Sequence, residues 1–197
     1  MRLIVGISGA SGVIYGVRLL EAFRAVEEVE THLVLSKAGR LNIALETHWQ
    51  ARDVEALADV VHDNRNLAAA IASGSFVTGG MVIVPCSMKT LSGVVHSFSD
   101  DLLVRAADVV LKERRRLVLV PREAPLHLGH LRMLTAAAEL GAVILPPMPA
   151  FYARPRSVDD IVNHTVARVM DLFGIENDLV ERWQGPASAR APDTGDV

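Results

Sequence analysis

The sequence predicts an α/β protein, doubly wound around a mainly parallel sheet and folded as one domain. Three observations lead there. Short runs rich in β-branched residues are apolar at every position rather than at alternate ones, as in residues 3–7, 81–85 and 117–120. Such strands must be covered on both faces. Between them lie stretches whose apolar residues recur at helical spacing, so strand and helix alternate along the chain. Finally, 197 residues of which 50% are hydrophobic and only 22% charged can bury one core of ordinary size, while two full domains fit with difficulty.

In order, residues 3–7 read as the first strand, and 13–26 as the first helix, with Val17, Leu20 and Phe23 marking its turns. Residues 31–35 read as the second strand and 37–47 as the next helix. Residues 50–80 carry no regular pattern. A third strand is expected at 81–85 and a helix over 100–115, where Leu102, Leu103, Ala106, Val109 and Val110 share a side. Strands at 117–120 and 142–145 follow, with helix between them. Ser157 opens a last helix through the pattern Ser-Val-Asp-Asp, continued by Ile161, Thr165, Val169 and Phe173. Residues 1–184 form the expected domain; the tail 185–197, rich in Pro, Ala, Gly and Asp, is expected to be mobile.

Composition excludes several classes of function. A net charge of −3 from 20 basic and 23 acidic residues offers no bulk attraction to nucleic acid or to an anionic membrane. The longest uncharged run, 66–88, is broken by Gly74, Gly79, Gly80 and Pro85, so it does not read as a membrane span. The start carries one basic residue and soon meets Gly and Ser, unlike a signal peptide. One cysteine, Cys86, excludes an internal disulfide and fits a reducing compartment, so a soluble cytoplasmic protein is expected. The mean hydropathy of +0.29 points to surplus apolar surface and hence to oligomerisation.

In such a sheet, ligands bind beyond the carboxyl ends of the strands, near the point where strand order reverses. The first strand ends in Ser8-Gly9-Ala10-Ser11-Gly12 and passes into a helix, which suits a phosphate cradled by backbone N–H groups and a helix N-terminus. No Gly-Lys-Ser/Thr follows, and no acidic residue ends the second strand, Leu35-Ser36-Lys37. A mononucleotide phosphate therefore fits better than a dinucleotide, and a turn selected for packing is the alternative. After the third strand, Ser87, Lys89 and Thr90 can donate to a second polar group, whereas Cys86 reads as a small buried residue. Arg122 and Glu123, held between Pro121 and Pro125, can clamp an anion and move a proton, or else stand as surface charges. His127 and His130 have i, i+3 spacing but lack a third ligand, so no metal site is expected. Arg105 and Lys112 lie seven apart on one helix face, and Arg114, Arg115 and Arg116 read as a solvated patch. The Pro-rich stretch before Tyr152 can wall an apolar ligand.

Taken together, GISGASGVIYG (6–16), SKAG with ALET (36–47), VPCSMKTLSG (84–93), RAADVVLKERRRLVLVPREAPLH (105–127), LGAVILPPMPAFY (140–152) and SVDDIV…ARVMDLFGI (157–175) resemble the UbiX-type flavin prenyltransferases. These lie within the wider flavodoxin-like or Rossmann-like FMN-binding proteins. The resemblance implies transfer of a dimethylallyl group from dimethylallyl phosphate to N5 and C6 of reduced FMN without a metal. It also implies release of phosphate and delivery of prenylated FMN to a UbiD-type decarboxylase. Homo-oligomers, dodecamers in this family, with active sites where subunits meet, are implied as well. By matching position, Gly9, Ala10, Ser11, Ser36, Ser87, Met88, Lys89, Thr90 and Arg122 would bind FMN. Arg105, Lys112, Glu123, Tyr152, Arg168 and Trp183 would face the prenyl phosphate. Ser11, Glu46, Lys112 and Glu123 would serve catalysis, with Glu46 as acid/base. Two other readings share the architecture: an FMN-dependent decarboxylase of peptidyl or pantothenoyl cysteine, and a flavin-carrying decarboxylase subunit without catalysis. The first needs a different histidine and Asn/Met-rich motifs, which are not seen; the second needs no prenyl phosphate pocket.

Overall fold

Every strand run pairs in parallel, and six of them make one sheet in the computed structural model, which describes residues 1–183 and 185. The strands are β1 (Arg2–Ile7), β2 (Glu30–Leu35), β3 (Val60–His62), β4 (Gly80–Cys86), β5 (Arg116–Pro121) and β6 (Val143–Ile144). Their order is β3-β2-β1-β4-β5-β6, so the winding reverses between β1 and β4. Seven helices cover the sheet: α1 (Val13–Phe23), α2 (Lys37–Glu46), α3 (Ala51–Glu55), α4 (Met88–Val95), α5 (Leu102–Lys112), α6 (Leu128–Glu139) and α7 (Val158–Leu172).

The unbroken apolar runs are explained by two cores, one on each face. Leu3, Val5, Ile7, Val82, Val84, Val118 and Val120 point to the side of α1 and α7. Ile4, Met81, Ile83, Leu117 and Leu119 point to the side of α4 and α5. Successive side chains on a strand face opposite ways, so the inner strands β1, β4 and β5 feed both cores with apolar residues, while β2 also buries Thr31 and His32 near its start. Burial on this scale, at roughly 25 cal/mol per Å² of apolar surface, is the main stabilising contribution.

Helix boundaries follow local chemistry. Asp101 accepts from the Val104 amide at 2.9 Å and caps α5, which starts at Leu102, two residues later than the apolar pattern suggests. Arg114, at φ 54°, ends that helical stretch before residue 115. The predicted box at Ser157 forms, with Asp160 and Ser157 each bonding the other's backbone amide. The first helix closes at Phe23, and residues 24–26 tighten into i→i+3 turns rather than extending it. The stretch without a pattern holds α3 and β3. β3 has three residues, pairs only with β2, and leaves Val61 exposed, so no apolar run marks it. Beside it, buried His32 stacks on His62, with His32 Nδ1 2.9 Å from His62 Nε2 and His32 Nε2 3.0 Å from Glu30.

No helix among the described residues is long and apolar enough to cross a membrane. The tail expectation lies outside the described residues beyond Gly185.

Candidate functional site

At the reversal of strand order, the loops after β2, β1, β4 and β5 are tied into one rim. The Ser8 hydroxyl donates to the Pro85 carbonyl at 2.9 Å and accepts from the Ser87 amide at 2.7 Å, which binds the loop after β1 to the loop after β4. The Ser36 amide donates to the Ile7 carbonyl at 3.0 Å, and the Arg122 amide to the Cys86 carbonyl at 3.3 Å. Gly9 lies so close to α2 that a Cβ there would stand 2.3 Å from that of Ala38. Gly9, Ala10, Ser11, Ser36, Ser87, Met88, Lys89, Thr90, Arg122 and Glu123 thus share one edge of the molecule, as the sequence reading expected.

Two helices begin on this rim behind a serine. Ser36 Oγ accepts from Gly39 N at 2.9 Å, and Ser87 Oγ accepts from Thr90 N at 3.2 Å. Each cap satisfies one amide of a first turn, and the other first-turn amides remain available to an anion. Arg122 and Lys89 add positive charge, and neither joins an ion pair among the described residues.

The third helix on the rim differs from expectation. Gly12, at φ 100°, turns the chain into α1, and the amides of Gly12 and Val13 both donate to Glu46 Oε2, at 2.8 and 3.3 Å. The N-terminus of α1, expected to greet a phosphate, is occupied by this carboxylate from the end of α2. The starts of α2 and α4 carry no such carboxylate, so their first-turn amides are the ones on this rim left open to an anion. The same contact places Glu46, which is exposed to solvent, at the Gly9–Ser11 loop. Cys86 is fully buried, and desolvation pushes its thiol up to about 12, where it stays protonated and unreactive. His127 Nδ1 accepts from Gly129 N and His130 N and caps α6. Among the described residues, the one side-chain hydrogen bond of Glu123 is accepted from the Ala124 amide, at 3.1 Å.

Lys112 does not reach this rim within one chain, and no hydrogen bond or ion pair among the described residues ties Arg105, Tyr152, Arg168 or Trp183 to it. α5 runs antiparallel to the strands, so its last residue, Lys112, lies at the amino end of β5, about one strand length from the loops. Lys112 pairs with Glu113. Arg105 donates to Asp108 at 2.9 Å and to the Ala72 carbonyl at 3.3 Å. The expected cage of Lys112, Arg122, Arg168 and Tyr152 is therefore not assembled by a single protomer.

Tyr152, Arg168 and Trp183 form a third group, on the outer flank of α7. Tyr152 OH lies 3.1 Å from His164 Nε2, and the Tyr152 and Trp183 rings meet edge to face at 5.6 Å. Tyr152 and Trp183 line a cavity of about 1060 Å³ with Phe151, Arg156, His164 and Arg182, and Arg168 stands beside it, joined to Arg182 through Asp171. Burial and nearby Arg168 hold His164 below its ordinary value, opposed by Asp171. The sequence reading gave His164 no role and passed over Asp171 and Arg182. For the first two the signal was present: His164 and Asp171 flank Arg168 at i, i+4, i+7 along one helix face. No group of three or more His, Cys, Asp or Glu residues able to hold a metal occurs among the described residues.

The Flavoprotein family matches residues 1–170. A flavin prenyltransferase UbiX of Escherichia coli K12 is 67% identical over 186 residues, covering 93% of this chain and 98% of that protein. The chain belongs to the UbiX flavin prenyltransferase family. Two solved structures of similar proteins align with a TM-score of 0.92 each. One is a dodecameric FMN-dependent UbiX-like decarboxylase from Escherichia coli O157:H7, 56% identical, covering 94% of this chain and all of that one. The other is AnUbiX (PadA1) in complex with FMN and dimethylallyl pyrophosphate, 48% identical, covering 93% and 97%. The family's doubly wound fold is the one described above, and the rim is the part of this chain suited to a flavin mononucleotide. Two open helix starts and two unpaired cations suit its phosphate, and a Gly/Ser loop suits a flat ring approached through backbone.

Proposed function

We propose that the protein is a flavin prenyltransferase. It moves the dimethylallyl group of dimethylallyl phosphate onto N5 and C6 of reduced FMN, releases phosphate, and makes prenylated FMN for a UbiD-type decarboxylase in the cytoplasm. The observation that carries this reading is the rim at the switch point, found in a chain 67% identical to a flavin prenyltransferase. Reduced FMN, when bound, supplies two electron-rich ring positions as acceptors.

The chain's residues divide the remaining work. Ser36, Ser87, Thr90, Arg122 and the first-turn amides of α2 and α4 hold the flavin phosphate. Gly9, Ala10 and Ser11 approach the ring through backbone. Glu46, fixed by the Gly12 and Val13 amides, receives the proton that ring closure releases. Charge developing on the departing phosphate is met by Lys112, Arg105, Arg168 and the Tyr152 hydroxyl. Because Lys112 lies about one strand length from the rim in one chain, the working site is composed from several protomers of a homo-oligomer, a dodecamer by analogy with the solved relative. Trp183 closes its outer side.

Anaerobic mixing of protein, reduced FMN and dimethylallyl phosphate, with mass analysis of the extracted flavin, tests the reaction. A gain of one five-carbon unit, unchanged by a chelator, is expected; an unaltered flavin refutes it. Mixing two inactive variants, Arg122→Ala and Lys112→Ala, tests the composite site. Hetero-oligomers should regain activity, and none regained would place each site within one chain.

A further inference from the structure

On the α7 flank, a closed circuit of contacts runs through a single carboxylate. Asp171 lies one turn after Arg168 and accepts from its Nη1 at 2.9 Å. It also accepts from both Nη atoms of Arg182, at 2.6 and 2.7 Å, and from Asn177 Nδ2 at 3.2 Å. Arg182 belongs to the segment that leaves α7 and folds back along it, and the next residue, Trp183, rests against Tyr152. Tyr152 returns to α7 through His164, one turn before Arg168. We propose that Asp171 is a positioning residue: it fixes the Arg168 guanidinium and, by latching Arg182, holds the Trp183 wall of the prenyl donor pocket in place.

This rests on the reading that Arg168 and Tyr152 meet the donor phosphate. The geometry supports positioning over simple surface pairing. Arg168 sits on an exposed helix face, its side chain 52% accessible, where a long side chain is otherwise free to rotate. Asp171 engages only one of its nitrogens, so the remaining donors of the fork stay free for an incoming anion. The pair with Arg182 is bidentate, the geometry that fixes orientation as well as distance. Two guanidiniums share one carboxylate, so the cluster keeps a net positive charge without mutual repulsion dispersing it. The Arg182 contact is also the largest influence holding the Asp171 carboxyl below its usual range.

The proposal makes a prediction opposite to that of bulk charge. Asp171→Asn raises the local positive charge, which by itself would favour a phosphate ester. Loss of positioning should instead raise KM for dimethylallyl phosphate roughly tenfold while kcat stays within about twofold and FMN affinity is unchanged. Asp171→Glu should recover most of that loss. An unchanged or lowered KM in Asp171→Asn, or an Asp171→Glu as weak as it, overturns the proposal. A second readout requires no substrate. In a Trp49→Phe background, Trp183 alone fluoresces, and Asp171→Asn should shift its emission to the red as the latch opens. Superimposable spectra overturn the latch. If the wild-type protein shifts no dimethylallyl group, the assignment of function fails while this spectral test still reads the latch.

Discussion

Gly9→Ala tests how the flavin rim is assembled. Its Cβ would stand 2.3 Å from the Ala38 Cβ, whereas ordinary contact begins at 3.4 Å. Neither methyl can rotate away, so the loop after β1 and the start of α2 must separate by about 1 Å. Overpacking of this kind costs about 1–3 kcal/mol. For a chain of this size that corresponds to a Tm loss of about 2–12 °C at fixed protomer concentration. The same displacement moves Ser11 relative to Ser36, and FMN affinity, read by quenching of flavin fluorescence, should fall about tenfold, or about 1.4 kcal/mol. Ala38→Gly removes the opposing methyl. Alone it costs about 0.5–1 kcal/mol, because glycine in a helix loses more backbone freedom. Combined with Gly9→Ala, it should restore much of the lost stability, so the two substitutions couple rather than add. Calorimetry on the four proteins gives the answer. A Gly9→Ala protein as stable as wild type, or strictly additive effects, would show that this close approach does not shape the rim.

Glu46→Gln keeps an acceptor for the Gly12 amide and loses the charge at the start of α1, a change of about 0.3–1 kcal/mol in stability. FMN should remain bound while turnover falls about 100-fold or more; normal turnover removes Glu46 from the proton transfer. Cys86, its thiol pushed up to about 12, should resist iodoacetamide at pH 8 in the folded protein and react after unfolding in urea; rapid labelling of folded protein contradicts its burial. His62 is held below its ordinary value by burial and by His32, with Glu30 and Asp59 the carboxylates nearest that histidine pair. Between the depressed value and about 6.5 the unfolded chain binds more protons than the folded one, so stability should fall as pH drops through that window. Urea midpoints at pH 7 and 5.5 should show a smaller decrease in His62→Gln than in wild type. An equal decrease excludes His62 as a source.

The inner strands and most helices were legible because each is long and buried on a regular face: β1, β4 and β5 are apolar at every inner position, and α5 shows its buried stripe in sequence, whereas the run expected over 142–145 pairs only at Val143–Ile144. β3 was hidden because three residues on an outer edge carry no pattern, and α3 because one buried residue, Val54, does not make a periodicity. The rim was readable from glycine and serine at strand ends. Glu46 at the start of α1 was not, since 34 residues separate the carboxylate from the Gly12 amide and only the fold brings them together. Likewise, Arg105 and Lys112 share a helix face with clear spacing, but the spacing does not tell which end of the sheet that helix reaches. On the α7 flank the helical spacing of His164, Arg168 and Asp171 was there to be read, but the backbone reversals that bring Tyr152 and Arg182 onto that face leave no local signature.

The Ser8 hydroxyl spends both its donor and its acceptor capacity on joining two neighbouring loops, deep enough that solvent does not compete. Those loops consequently behave as a single rigid body rather than as two independent jaws. A flavin meets a seat already shaped before it arrives, so little ordering entropy is lost when it docks. Affinity differences among flavin analogues should then reside mainly in how quickly they leave, with similar rates of arrival for all of them.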